Sequence, residues 1–245
     1  MNSIFKQSLT LDELAHEKRF STWVLIVSIL TGLLGAYAFV ENRQLDFILT
    51  DWINQHSVFA LSGSTFWAFV RRAMMIGFGI AYVLFILGLI RSITEKRPIW
   101  KMPSIAWLYL VVCSLVGPLL VANLILKTYV GRPRPRSVTE YGGQLDFLSV
   151  FEAGGKCVDN CSFVSGEVSS MVMIFAALMF ACKPLRLLFA SLLVPAWALS
   201  GYIRIGMGAH FPSDTFFAGI FMIAIAAGLY RLMVLSPRNV SIRDQ

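Results

Sequence analysis

Charge is scarce in this chain. Only 14% of its residues are Asp, Glu, Lys or Arg, against 57% hydrophobic, and the mean hydropathy is +0.69. A soluble domain of this size needs more charged surface than that, so a water-soluble globular fold is excluded and a polytopic membrane protein is expected, with lipid covering the apolar exterior. Four cysteines are too few for a disulfide scaffold. Three histidines, with no cluster of Cys, His and acids, leave no metal-ligand pattern. Internal repeats and low-complexity tracts are absent, which excludes a solenoid or a disordered tail. The net charge of +7 would suit a nucleic-acid binder, but the basic residues sit in short loops between apolar runs. That distribution fits anionic headgroups and membrane topology instead, and no nucleic-acid partner is expected.

What is present is apolar length. Six stretches approach the roughly 20 residues that a helix needs to cross a bilayer. They lie at about 20–40, 70–91, 105–126, 165–182, 186–204 and 214–234. The expected fold is therefore all-α, a bundle of six transmembrane helices forming one integral-membrane domain over 1–245. Residues 1–19 form a charged, amphipathic lead-in, without the cleavage pattern of a signal peptide. Six crossings put both termini on one side. That side carries twelve Lys and Arg and the other nine, which fall to five once those with a chemical assignment are set aside. The positive-inside rule then places the termini in the cytoplasm and the long connection 127–164 outside. Cys157 and Cys161 lie in that outward connection, where an oxidising compartment permits a small disulfide loop. Two free thiols or a metal site are the alternatives. Cys113 and Cys182 read as packing residues.

Three stretches carry chemistry. In KTYVGRPRPR (127–136), Pro133 and Pro135 forbid a regular helix, so an extended loop is expected to hold Lys127 and Arg134 at set directions. A compact ammonium and a planar fork suit phosphate oxygens, and a basic loop on anionic lipid is the plainer alternative. In CSFVSGEVSS (161–170), Ser165 and Gly166 open an apolar run, and a helix N-terminus is an anion site. Glycine there lets backbone approach a ligand, while a simple N-cap with Glu167 in the first turn is the bland alternative. In RIGMGAHFPSD (204–214), Arg204, His210 and Asp214 follow the spacing R-x5-H-x3-D, and Pro212 suits the first turn of the next span. A carboxylate at Asp214 can hold one imidazole nitrogen and leave the other free to attack. All three stretches fall at outward ends of spans, so they can meet in one pocket. Fixed cations around a nucleophile are what phosphoryl transfer requires.

The three motifs together resemble the type 2 phosphatidic acid phosphatase superfamily, PAP2, whose patterns are K-x6-RP, PSGH and SR-x5-H-x3-D. Here they read Lys127…Arg134-Pro135, Val164-Ser165-Gly166-Glu167 and Ile203-Arg204…His210…Asp214, within a core of about 120–235. The resemblance implies that His210 is the nucleophile, forming a phosphohistidine, and that Asp214 orients it. It also implies that Lys127, Arg134, Arg204, Ser165 and Gly166 bind the phosphate, with no metal or cofactor. In the family, a histidine at the Glu167 position protonates the leaving group. Glu167 is then either the general acid of a variant subgroup or a helix-start residue in an enzyme with another proton source. NCSFVSGE looks most like the lipid A phosphatases of Gram-negative bacteria that remove the 4′-phosphate. The implied partner is a phosphorylated membrane lipid, met at the periplasmic face of the inner membrane. Phosphatidylglycerophosphate, undecaprenyl pyrophosphate, phosphotransfer to a second lipid and a non-catalytic anion binder are the alternatives. Outside the motifs, Arg71 and Arg72 are expected to snorkel to the interface, with contact to substrate headgroups as the alternative, and Arg132 and Arg136, flanking the first motif, could meet a second phosphate.

Overall fold

A computed structural model describes residues 6–54, 59–152 and 154–242. Arg243 from the topology argument and His56 lie outside the described residues. Thr10 starts the first helix, α1 (Leu11–Glu41), with a capping box: its Oγ accepts the Glu13 N–H, and the Glu13 carboxylate accepts the Thr10 N–H at 2.8 Å. The helix therefore begins nine residues before the expected span, because acids in a first turn favour the helix dipole. A short helix, α2 (Leu45–Ile53), lies in the first connection, where no element was expected. Next comes α3 (Thr65–Thr94).

The following helix, α4, opens as Ser104–Ser114, runs on as a π-helical stretch Leu115–Leu126 and closes with one α-turn, Lys127–Val130. Pro118 lies in the π stretch, where its missing N–H breaks the i→i−4 pattern, and the Asn123 amide donates to the Pro118 carbonyl at 2.7 Å. Three helices complete the bundle: α5 (Gly166–Ala181), α6 (Arg186–Gly206) and α7 (Pro212–Leu229), the last continued by a π turn, Tyr230–Val234. A two-stranded parallel pair, β1 (Gln7–Leu9) with β2 (Val240–Ile242), sets Gln7 beside Val240.

Among the described residues, five helices are long and apolar enough to cross a membrane: Leu11–Glu41, Thr65–Thr94, Ser104–Ser137, Lys183–Gly206 and Pro212–Val234. α1 and α3 leave their large apolar side chains uncovered, among them Leu33, Leu34, Phe69 and Ile76. In water such a surface would be unstable, and in a bilayer it is the contact with lipid. The chain is a multi-pass membrane protein of all-α class. α5 is different. Its 16 residues are mostly buried, packed against α4, α6 and α7, so it is the axis of the bundle. Its first residue lies at the polar site described below, and beyond its last lie Lys183 and Arg186, which pair with the buried Glu17. The Tyr230 hydroxyl also donates to Glu17, at 2.8 Å. The two ends of the bundle thus carry separate polar clusters, and the paired strands belong to the end away from the site.

Candidate active site

His210 sits in the turn between α6 and α7, 2% exposed. Pro212 is the first residue of α7, where its fixed φ suits the helix and its missing N–H costs nothing. The imidazole Nδ1 lies 2.8 Å from the Ser162 carbonyl oxygen. A carbonyl only accepts, so Nδ1 carries the proton and Nε2 presents its lone pair. Asp214 stands farther off, with Oδ2 at 3.8 Å from Nδ1. The tautomer is therefore set by a backbone carbonyl, and Asp214 acts on the ring as a nearby charge. His210 lies between two spans. Burial pushes it down to about 4; the Arg204 and Lys127 charges add to that, and Asp214 opposes it.

Asp214 is itself fully engaged. Its Oδ2 accepts the Phe211 N–H at 2.7 Å, capping α7, and also accepts the Ser162 hydroxyl. Its Oδ1 accepts from Arg132 at 2.5 Å. Arg132, 0% exposed, donates in addition to Asp46 Oδ2 at 2.7 Å, Ser213 Oγ at 2.7 Å and the Leu148 carbonyl at 2.8 Å. Its guanidinium also lies over the Phe211 and Phe147 rings. The expectation that Arg132 meets a second phosphate is thus corrected: it faces inward and its donors are committed to protein acceptors. Asp46, from α2, also accepts the Ser213 N–H at 2.9 Å and the Ser213 hydroxyl at 2.8 Å. A carboxylate at a helix N-terminus is favoured by the dipole, which explains why the first connection folds back onto the site.

The first motif is only partly the extended loop expected. Lys127 lies on the last turn of α4, which Gly131 ends at φ +62°. Extended chain then leads to Arg134, and Pro135–Ser137 is a 3-10 turn. The Arg134 Nε–H donates to the Asn160 carbonyl at 2.8 Å. Arg134 and Arg204 line one cavity of about 800 Å³, together with Arg71, Arg72, Arg136 and Asn160. Lys127 lines an adjoining opening of about 380 Å³ that shares Asn160. It is within electrostatic reach of Arg134, Arg204 and Asp214.

At the start of α5, Ser165 is 0% exposed and its hydroxyl has no hydrogen-bond partner among the described residues. The same holds for Nε of Arg204, 5% exposed. Buried polar groups are nearly always paired, so both donors are available to a ligand's acceptor oxygens. Gly166 is required for packing as well: a Cβ there would meet the Asn123 side chain at 2.7 Å, so the glycine is what lets α4 and α5 approach.

Glu167 is gripped by two guanidinium groups. Arg71 reaches it with Nε at 3.0 Å to both carboxylate oxygens and with a terminal nitrogen at 2.7 Å, and Arg204 lies at 3.3 Å. Arg71 does not snorkel. Its signal was readable, since an arginine one turn inside an apolar span is costly without a partner. Ser162 and Asp46 left no comparable sign, because one acts through its backbone and the other is one acid in a polar connection. Cys157 and Cys161 are joined in a disulfide, their Cα atoms 5.7 Å apart, while Cys113 and Cys182 are free and buried.

The family model for the PAP2 superfamily matches residues 105–238. Over 118 residues the chain is 40% identical to "Lipid A 4'-phosphatase" of Rhizobium leguminosarum, covering 48% of this chain and 51% of that one. The protein of the same name from Rhizobium etli is 39% identical over 118 residues, 46% of its length. The chain thus spans about half the length of these two relatives. A third protein of that name, from Francisella tularensis subsp. novicida, is 34% identical over 163 residues, covering 66% of this chain and 72% of that one. No solved structure matches. The matched region runs from the start of α4 through α7, the helices whose ends converge on His210, and the chain belongs to the PAP2 superfamily.

Proposed function

We propose that this protein is a metal-independent lipid phosphatase that removes a phosphate monoester through a phosphohistidine, and that its substrate is lipid A. The observation that carries the reading is the pairing at the start of α5. A neutral His210 with Nε2 free shares the site with the unpartnered Ser165 hydroxyl and Arg204 Nε–H. Nε2 attacks phosphorus, the bond from phosphorus to the lipid oxygen breaks, and that oxygen takes a proton from water in the open cavity, which the proton lost by the attacking water in the second step replaces. Water then attacks phosphorus, the P–N bond breaks, and inorganic phosphate leaves with His210 restored. Lys127, Arg134, Arg204 and the first amides of α5 hold the equatorial oxygens, where charge is greatest in the transition state. Asp214 stabilises the ring's positive charge as the bond forms. In this geometry Glu167 holds the Arg71 and Arg204 forks in place.

The bundle reads as one domain with six spans. The reading is supported by Gln7 and Val240, which are paired side by side as an even number of crossings would leave them, whereas the five long helices among the described residues are an odd number. α5 is the sixth, about 24 Å long at 1.5 Å per residue for its 16 residues. That is short for a bilayer, but α5 is shielded by its neighbours. With the termini cytoplasmic, the site faces the periplasm of an inner membrane. The lipid A assignment rests on the printed names of the three relatives.

The test is phosphate release by purified protein in detergent with a chelator, from lipid A, phosphatidylglycerophosphate and undecaprenyl pyrophosphate. Release from lipid A that His210→Ala abolishes is expected. Release from none of the three, with lipid still bound, would make the protein an anion binder.

A further inference from the structure

The segment between Gly155 and Ser162 touches Arg134, His210, Asp214 and the backbone of the first motif. Asn160 gives its carbonyl to the Nε–H of Arg134 at 2.8 Å. Ser162 gives its carbonyl to Nδ1 of His210, also at 2.8 Å, and its hydroxyl donates to Asp214. The backbone is pinned to the first motif as well: the Cys157 N–H donates to the Gly131 carbonyl at 3.2 Å, and the Ser162 N–H to the Arg132 carbonyl at 2.8 Å. The two chains run so close that a Cβ on Gly155 would meet the Gly131 oxygen at 1.9 Å. Yet the tip of the segment has little to hold it. Val158, Asp159 and Asn160 are exposed, and Asn160 has a φ of +48°, in the left-handed region that asparagine tolerates better than most residues but that is not its extended or helical preference. What closes this stretch is the bond between Cys157 and Cys161.

We propose that the disulfide-closed loop Cys157–Cys161 is a positioning device for phosphoryl transfer: ring closure aims the Asn160 carbonyl at Arg134 and the Ser162 carbonyl at His210, so that the oxidised protein is the competent form. None of these loop residues touches the reacting atoms. They act through Arg134 and His210, and the inference rests on the phosphatase reading. Opening the ring frees Asn160 to leave its left-handed conformation. Arg134 then loses its only hydrogen-bond acceptor among the described residues, and the phosphate loses a fixed fork. An outward-facing site would keep the loop oxidised in its own compartment.

Dithiothreitol tests this directly. The S–S bond takes two electrons and two protons to give two thiols, and the reagent's two thiols close to its cyclic disulfide. Reduction should lower kcat/KM at least tenfold and raise the inhibition constant for inorganic phosphate in parallel. Both should return on reoxidation with oxidised glutathione. Cys157→Ser/Cys161→Ser should show the low activity from the start and ignore dithiothreitol. The hydrogen-bonded amides of Cys157 and Ser162 should exchange hydrogen at least tenfold faster after reduction, a readout that needs no activity. Reduced enzyme within twofold of oxidised enzyme, or unchanged exchange, would overturn the proposal. So would a Cys157→Ser/Cys161→Ser variant that still loses activity in dithiothreitol. If that variant does not fold, the reversible cycle on the natural chain decides. Oxidised protein that releases no phosphate at all would instead refute the phosphatase reading, and the exchange measurement would still test the loop.

Discussion

Replacing Arg132 by methionine removes one guanidinium and strands two carboxylates. Asp46 and Asp214 are 2% and 0% exposed, and Arg132 bonds to both, at 2.7 and 2.5 Å. Asp46 would keep its bonds from Ser213, and Asp214 its bonds from Phe211 and Ser162, but neither charge would have a cation left beside it. Breaking a buried ion pair by deleting one partner costs about 3–5 kcal/mol, because the orphaned charge stays desolvated. For a chain of this size each kcal/mol moves Tm by about 2–4 °C, so a loss of about 6–20 °C is expected. The assay is thermal unfolding in detergent at neutral pH. Adding Asp46→Asn to Arg132→Met removes one of the two stranded charges and should recover part of the loss. Activity would fall through kcat, since Asp214 loses an anchor, while KM would change little. An Arg132→Met protein that melts within 2 °C of the natural chain and shows a raised KM would refute the reasoning. Arg132 would then be meeting substrate.

Glu167 and Arg71 should behave as one unit. Glu167→Gln and Arg71→Gln are each expected to lower kcat/KM by about 10–100-fold, and the double variant to lose no more than threefold beyond the worse single. Multiplicative losses in that cycle would contradict the coupling. Arg204→Lys should cost about 10²–10³-fold in kcat, the loss expected when a donor to the transition state is removed, because an ammonium cannot supply the Nε–H left unpartnered here. With His210 pushed down to about 4, the reactive neutral imidazole persists well below its ordinary 6.5, and the acid limb of kcat/KM set by this group should lie near pH 4. An acid limb with its half-maximal point between pH 6 and 7 would oppose this. The unfolded chain binds that proton at about 6.5 and the folded chain only near 4, so the stability His210 contributes is present above pH 6.5 and declines between those values.

The apolar runs showed the helices because lipid-facing and buried faces are both apolar, so hydropathy alone finds them. α1 and α3 are the clearest, since most of their large side chains face outward. What hydropathy cannot show is α2, whose place depends on Asp46 reaching the N-terminus of α7, a contact 167 residues away in sequence. The site was legible where side-chain type determines chemistry. Lys127, Arg134, Ser165, Arg204 and His210 all lie at one end of the bundle. It was illegible where geometry decides between partners. Arg71 and Arg132 are both arginines near the site end of a long apolar helix, yet Arg71 pairs with Glu167 and Arg132 turns inward. Ser162 orients the imidazole through a carbonyl that any residue could supply, and its hydroxyl reaches Asp214, 52 residues away in sequence, so neither contact was legible.

The account stands on His210 as the group that takes the phosphoryl. The protein should be mixed with lipid A, denatured in alkali within the first turnovers and digested, and the peptide containing residue 210 weighed by mass spectrometry. A mass gain of one phosphoryl group on His210, absent in His210→Ala and lost on exposure to acid, is the predicted result. Turnover that continues with no phosphoryl group on that peptide, or that survives His210→Ala, would contradict it.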